Sequence, residues 1–145
     1  MARFLIVGFG NPLRSDDGVG WYVAQQLQRE VSREDVLVIP TQQLTPEMAE
    51  AASQSGKLLF IDAAHGGLPG TISCQEVQPT AAPRRFTHEL SPASLLQLAL
   101  ELYGRAPAAD LLTIAGECFE MGDGMSEPVR WAIPGLIARI KEIIA

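Results

Sequence analysis

RFLIVGFGNPLRSDDGVG, residues 3–20, is the stretch on which the architecture of this chain turns. Its first half is a continuous apolar run closed by Gly8-Phe9-Gly10, the pattern of a strand buried on both faces in a helix-covered parallel sheet. Its second half is a polar, glycine-rich loop with two adjacent aspartates. A helical pattern follows at once: Val19, Tyr22, Val23, Leu27 and Val31 fall close to i, i+3, i+4 spacing. Strand, loop and helix in that order predict an open α/β fold, in which ligands bind beyond the carboxyl ends of the parallel strands.

The alternation continues on the C-terminal side. Residues 35–40 read as a second strand, and Thr45-Pro46 as the N-cap and first turn of a helix over 48–55. Residues 57–63 (KLLFIDA) form a third strand carrying Asp62 near its end. Residues 71–77 alternate with period two after a link too short for a helical crossover, which predicts an antiparallel strand. The segment 78–89 is polar and proline-rich and contains His88. Ser91-Pro92 then caps a helix that ends at Gly104, residues 110–118 form a fifth strand, and Glu127-Pro128 opens the last helix. Pro134 falls in the first two turns of that helix and predicts a kink or a late start. The expected fold is one three-layer α/β domain over 1–145. Its sheet is five-stranded and mostly parallel, with one antiparallel strand and helices on both faces.

Composition narrows the function classes. With 47% hydrophobic and 19% charged residues, 145 residues suffice for a core, which excludes a disordered chain. Seventeen acidic against 11 basic residues leave a net charge of −6, which repels phosphate backbones, and Arg84-Arg85 is the only tight basic pair. Nucleic acid is therefore not an expected partner. No apolar run approaches the ~20 residues of a membrane span, and the N-terminus lacks the length and cleavage site of a signal peptide. Cys74 and Cys118 form no CxxC or metal-type cluster. A reducing, cytoplasmic setting is the expectation.

Three segments bring chemistry to the carboxyl edge: the glycine loop with Asp16 and Asp17, Asp62 with nearby His65, and the stretch around His88. The loop has no Gly-Lys-Ser/Thr, so it is not a Walker A motif, and Leu13 stands where a dinucleotide fingerprint needs a third small residue. No G-x-S-x-G elbow is present, and Pro92 stands where His88-Glu89 would need a second histidine to make HExxH. Cys118, at a strand end, leaves a catalytic thiol open. The remaining set of aspartates and histidine offers oxygen and nitrogen donors suited to nickel, zinc or manganese. Asp17 is expected to begin the following helix, whose dipole favours its ionised form. Each residue also has a plain reading. Asp16 or Asp17 can serve as a helix cap, Asp62 as a turn cap, His65 as a loop residue and His88 as an ordinary surface histidine.

The loop GFGNPLRSDDGVG, residues 8–20, resembles the G-x-G-N-x-[LM]-x-x-D-[DE]-x-x-G signature of the [NiFe]-hydrogenase maturation endopeptidases. The resemblance continues through Phe60-Ile61-Asp62-Ala63, Pro69-Gly70, Thr87-His88 and residues 122–128, over nearly the whole chain and in the family's order. It implies a peptidase that removes a C-terminal peptide from a nickel-loaded hydrogenase large-subunit precursor. It also implies that Asp17, Asp62 and His88 are both the metal-contacting and the catalytic positions. Nickel would arrive with the precursor, zinc or cadmium would substitute in vitro, and the enzyme would be a monomer. Within the resemblance, Asp16 is the structural cap and Asp17 the functional group. Thr41-Gln42-Gln43 departs from the Asp-Gly-Gly of many relatives, in a segment expected to bear on which hydrogenase is served. Three other readings stay open: a metal-free aspartic mechanism through Asp17 and Asp62, a non-catalytic nickel chaperone with the same ligands, and a small-ligand nucleotide binder.

Overall fold

Strand β1 (Phe4–Phe9) sends alternate side chains to opposite faces, and both faces are buried. Phe4 and Ile6 join one apolar cluster, and Leu5 and Val7 join the other. Strand β3 (Lys57–Ala64) divides in the same way, with Leu59, Ile61 and Ala63 on the first face and Leu58 and Phe60 on the second. Helices α1 (Val19–Glu30) and α4 (Glu127–Ile144) close the first layer through Val23, Leu27, Leu136 and Ile140. Helices α2 (Met48–Gln54) and α3 (Pro92–Tyr103) close the second through Ala49, Ala52, Leu95 and Ala99. This is the three-layer arrangement expected from the uninterrupted apolar runs. The computed structural model describes residues 2–80 and 90–145.

With β2 (Val36–Thr41), β4 (Ile72–Val77) and β5 (Ala108–Ala115), the sheet has the order β2-β1-β3-β5-β4. Strands β2, β1, β3 and β5 run parallel, and β4 pairs antiparallel with β5, as its short link predicts. The exposed edge of β2 is blunted: Gln28 Nε2 donates to the Val38 carbonyl at 3.0 Å, and Pro40 has no N–H to offer.

Local chemistry agrees with the elements in most places. Ser91 Oγ accepts the Ser94 N–H at 3.1 Å, and Gly104 ends α3 in the left-handed conformation, φ 75°. Three details differ from expectation. Helix α2 begins at Met48 with Glu47 at its cap position, while Thr45 lies in a turn whose carbonyl accepts the Met48 N–H. Helix α4 runs unbroken from Glu127 through Pro134, because that proline lies on the exposed face, where water can take the carbonyl it leaves unpaired. Strand β5 stops at Ala115 rather than reaching residue 118, because the amides of Glu117 and Cys118 turn to the buried carboxylate of Asp16.

Gly20 lets α1 settle directly on the strand ends. A Cβ there would lie far inside contact distance of the Ile61 and Phe9 carbonyl oxygens, both backbone atoms that cannot swing away. Gly20→Ala is expected to cost about 2 kcal/mol by overpacking. Urea unfolding checks this, and an unchanged midpoint would mean that the helix can slide outward freely.

Candidate active site

The loop after β1 makes a single 3-10 turn, Ser15–Gly18, before α1 begins at Val19. Asp17 therefore sits in this turn, before α1, rather than opening that helix. Its Oδ2 accepts the Asn11 N–H at 2.9 Å, which folds the loop back on itself. Gly10, at φ 147°, permits this fold, since a Cβ there would collide with the Asp17 carbonyl.

Asp16, the neighbouring carboxylate, is fully buried and points the other way. Its Oδ2 accepts the N–H groups of Glu117 (2.8 Å) and Cys118 (3.0 Å) and the Ser126 hydroxyl (2.8 Å), and its Oδ1 accepts the Ser126 N–H (2.8 Å). Burial alone would raise its pKa. The hydrogen bonds from Cys118, Glu117 and Ser126 outweigh that and hold it below the ordinary carboxylate range. The expected helix-cap role of Asp16 needs one correction. Asp16 is structural, but it caps no turn of its own helix. It fastens the β5–α4 loop and the Ser126 cap position of α4, about 110 residues away.

Asp62 lies in the last turn of residues of β3, paired with Thr113 of β5, and is half-buried. Its Oδ1 accepts the Ala63 N–H at 2.8 Å. Loss of hydration pushes its pKa up to about 7, the Ala63 bond opposes this, and repulsion from Asp17 adds to it. That repulsion places the two carboxylates in one electrostatic neighbourhood. Each has one oxygen held by a backbone N–H, while the other oxygen has no hydrogen-bond partner among the described residues. Carboxylate oxygens of this kind are hard donors, the type that divalent cations take. His88 lies outside the described residues, and among the described residues no set of three ligands assembles.

Asp17 opens on a cleft of about 470 Å³ that is also lined by Asn11, Arg14, Gln42, Gln43 and His65. His65, read from the sequence as a loop residue, is exposed, and its ring stacks on Phe119 with centroids 3.8 Å apart and planes 19° apart. Cys118 does not line this cleft. Its Sγ is 3.8 Å from Ser15 Oγ, and both cysteines are free thiols. The catalytic-thiol reading finds no support in that placement. Sequence reasoning missed Asn11, Arg14 and Phe119 as site residues. Asn11 and Arg14 were within the quoted loop, whereas nothing local marked Phe119.

A mostly parallel sheet with Asp17 and Asp62 at its carboxyl edge, Asp17 opening on a cleft, defines the class as an open-sheet α/β protein with its polar groups where such folds bind ligands. No protein-family model matches the sequence, and no curated protein sequence matches it. Solved structures do. The [NiFe] hydrogenase maturation protease HycI from Thermococcus kodakarensis KOD1 superposes with a TM-score of 0.80 at 25% identity, over 98% of this chain and 92% of that one. The hydrogenase maturating endopeptidase HybD from E. coli gives 0.76 at 23% identity, over 95% and 89%. A hydrogenase 2 maturation peptidase from Thaumarchaeota archaeon SCGC_AB-539-E09 gives 0.75 at 23%, over 98% and 97%. This chain has the hydrogenase maturation protease fold from end to end, in accord with the resemblance carried by residues 8–20.

Proposed function

We propose that this protein is an endopeptidase that removes a C-terminal peptide from the nickel-loaded large-subunit precursor of a [NiFe]-hydrogenase. The observation that carries the reading is the convergence of Asp17 and Asp62 at the carboxyl edge of a hydrogenase maturation protease fold. Asp17, Asp62 and His88 are the groups that would share the precursor's nickel, and oxygen and imidazole donors suit that borderline ion. The protein's own part is to hold the loaded centre against the cleft so that the scissile peptide lies beside the carboxylates. Hydrolysis then requires a polarised carbonyl, a water and a proton for the leaving amine. No helix of the described residues is long and apolar enough to cross a membrane. The proposal includes a monomer acting in the reducing cytoplasm, where the precursor's thiolates persist.

The test is a matched pair of precursors, nickel-loaded and nickel-free, at equal enzyme concentration, followed by intact mass. Cleavage of the loaded form alone is expected, and Asp17→Asn is expected to abolish it while leaving the thermal midpoint within about 2 °C. Equal cleavage of both forms would favour a second reading, a metal-independent aspartic mechanism. The raised pKa of Asp62, due first to burial and then to repulsion from Asp17, supports that alternative, since a carboxyl protonated near neutral pH can give its proton to the leaving amine. Tight binding of the loaded precursor without any cleavage would instead make the protein a nickel-centre chaperone.

A further inference from the structure

Arg14 extends into the cleft from the same loop that carries Asp17. Its Nε donates to the Phe119 carbonyl at 3.4 Å, and neither terminal nitrogen has a partner among the described residues. Arg33, Lys57 and Lys141 pair with Asp35, Asp110 and Glu30, whereas Arg14, like Arg3, Arg29, Arg105, Arg130 and Arg139, forms no ion pair among the described residues. Carboxylates are close by in sequence, since exposed Glu117 and Glu120 flank Phe119, yet neither pairs with Arg14. Of the arginines of the described residues without an ion pair, Arg14 is on the cleft beside Asp17.

The backbone holds Arg14 in place. Ser15, the next residue, has φ 53°, a left-handed conformation that a non-glycine residue adopts at a cost. Two bonds across the site keep it there: the Ser15 N–H donates to the Gly122 carbonyl at 3.0 Å, and its hydroxyl donates to the Glu120 carbonyl at 2.8 Å. The Arg14 N–H donates to the Asn11 carbonyl at 3.0 Å. Phe119, whose carbonyl receives Nε, is itself wedged between His65 and the backbone at Gly116. A guanidinium tethered through Nε keeps its outer fork free, which is the geometry that reads a carboxylate in a bidentate fashion.

Resting on the peptidase reading above, we infer that Arg14 is a carboxylate-binding residue of the substrate cleft. The carboxylate it takes belongs to the precursor and comes either from an acidic side chain near the scissile bond or from the new chain end that cleavage creates. Asn11, Gln42 and Gln43 on the same cleft supply amide donors and acceptors for the peptide backbone around it.

The experiment measures cleavage of the nickel-loaded precursor against its concentration for the wild type, Arg14→Gln and Arg14→Lys. If the carboxylate is a side chain of the precursor, Arg14→Gln is expected to raise KM about 10- to 100-fold with kcat changed less than about threefold, and Arg14→Lys to recover part of the loss. If it is the new chain end, which exists only after cleavage, KM is expected to stay and product inhibition to be lost. Each acidic residue within four positions of the cut is then replaced by its amide. If one amide variant reproduces the Arg14→Gln defect with wild-type enzyme and adds nothing with Arg14→Gln, the side chain is the source. If none does, and the mature large subunit inhibits wild type but not Arg14→Gln, the new chain end is the source. An Arg14→Gln enzyme with unchanged KM and unchanged product inhibition would overturn the inference while leaving the peptidase reading intact. A wild type that never cleaves would overturn both.

Discussion

Replacing Asp16 with alanine is expected to destabilise the protein by about 4 kcal/mol. The variant would leave the N–H groups of Glu117, Cys118 and Ser126 and the Ser126 hydroxyl facing a buried gap. Each lost buried partner costs about 1–3 kcal/mol, and water entering the gap recovers part of the sum. At this chain length that corresponds to a fall in Tm of roughly 10–15 °C. The pH dependence has a definite sign. The folded pKa lies below the ordinary aspartate value of 3.8, so the carboxylate's contribution is fully present above that value. It is lost as the pH falls through the folded pKa. Wild type should therefore show an acid-unfolding limb below pH 4 that Asp16→Ala largely lacks. A calorimetric drop of only about 1 kcal/mol would mean that Asp16 is an ordinary cap and that the β5–α4 loop is held by other contacts.

Asp62→Asn is expected to do the reverse to stability and to abolish function. In the unfolded chain this carboxyl titrates near 3.8, and in the folded protein near 7. Between those values the folded state holds a proton that the unfolded state has released, so stability falls as the pH rises through the window. Above pH 7 the folded protein carries the full cost of the charge. The shift corresponds to an upper bound of ~4 kcal/mol, and with solvent screening at a half-buried group about 2 kcal/mol is expected. The amide removes that cost. The Tm of Asp62→Asn should thus exceed wild type by about 5 °C at pH 8 and match it at pH 4. Precursor cleavage should fall at least ~100-fold, since the carboxylate that binds metal or moves a proton is gone. A variant no more stable than wild type at pH 8 would show that Asp62 ionises freely in the folded protein.

The difference in role between Asp16 and its neighbour Asp17 was only half legible in the chain. Adjacent aspartates before a helix look alike in one dimension. The motif resemblance assigned Asp17 to function and Asp16 to structure, but the partners of Asp16 lie about 100 residues downstream, and no spacing rule reaches them. The helix cap that the sequence offers is therefore instead a buried four-bond clamp. The same clamp ends β5 at Ala115, three residues before the apolar pattern suggests, because the amides of Glu117 and Cys118 are drawn to Asp16.

Much of the architecture was readable residue by residue. Continuous apolar runs at β1 and β3 announced strands buried on both faces, and the period-two alternation of residues 71–77 after a short link announced the antiparallel β4. Ser91, Pro92 and Gly104 set the limits of α3 through interactions confined to a few neighbouring residues. These features were legible because hydrophobic periodicity and capping act over distances of one or two turns. Strand order β2-β1-β3-β5-β4 was not, since pairing joins residues with no sequential relation. The cleft was not either. Arg14 and Phe119 become neighbours through a hydrogen bond spanning 105 residues, and His65 meets Phe119 by stacking between two separate loops. Local propensity determines which segments are strands and helices. The meeting of loops at one sheet edge is decided by how the two apolar layers pack, and the site exists only once that packing is complete.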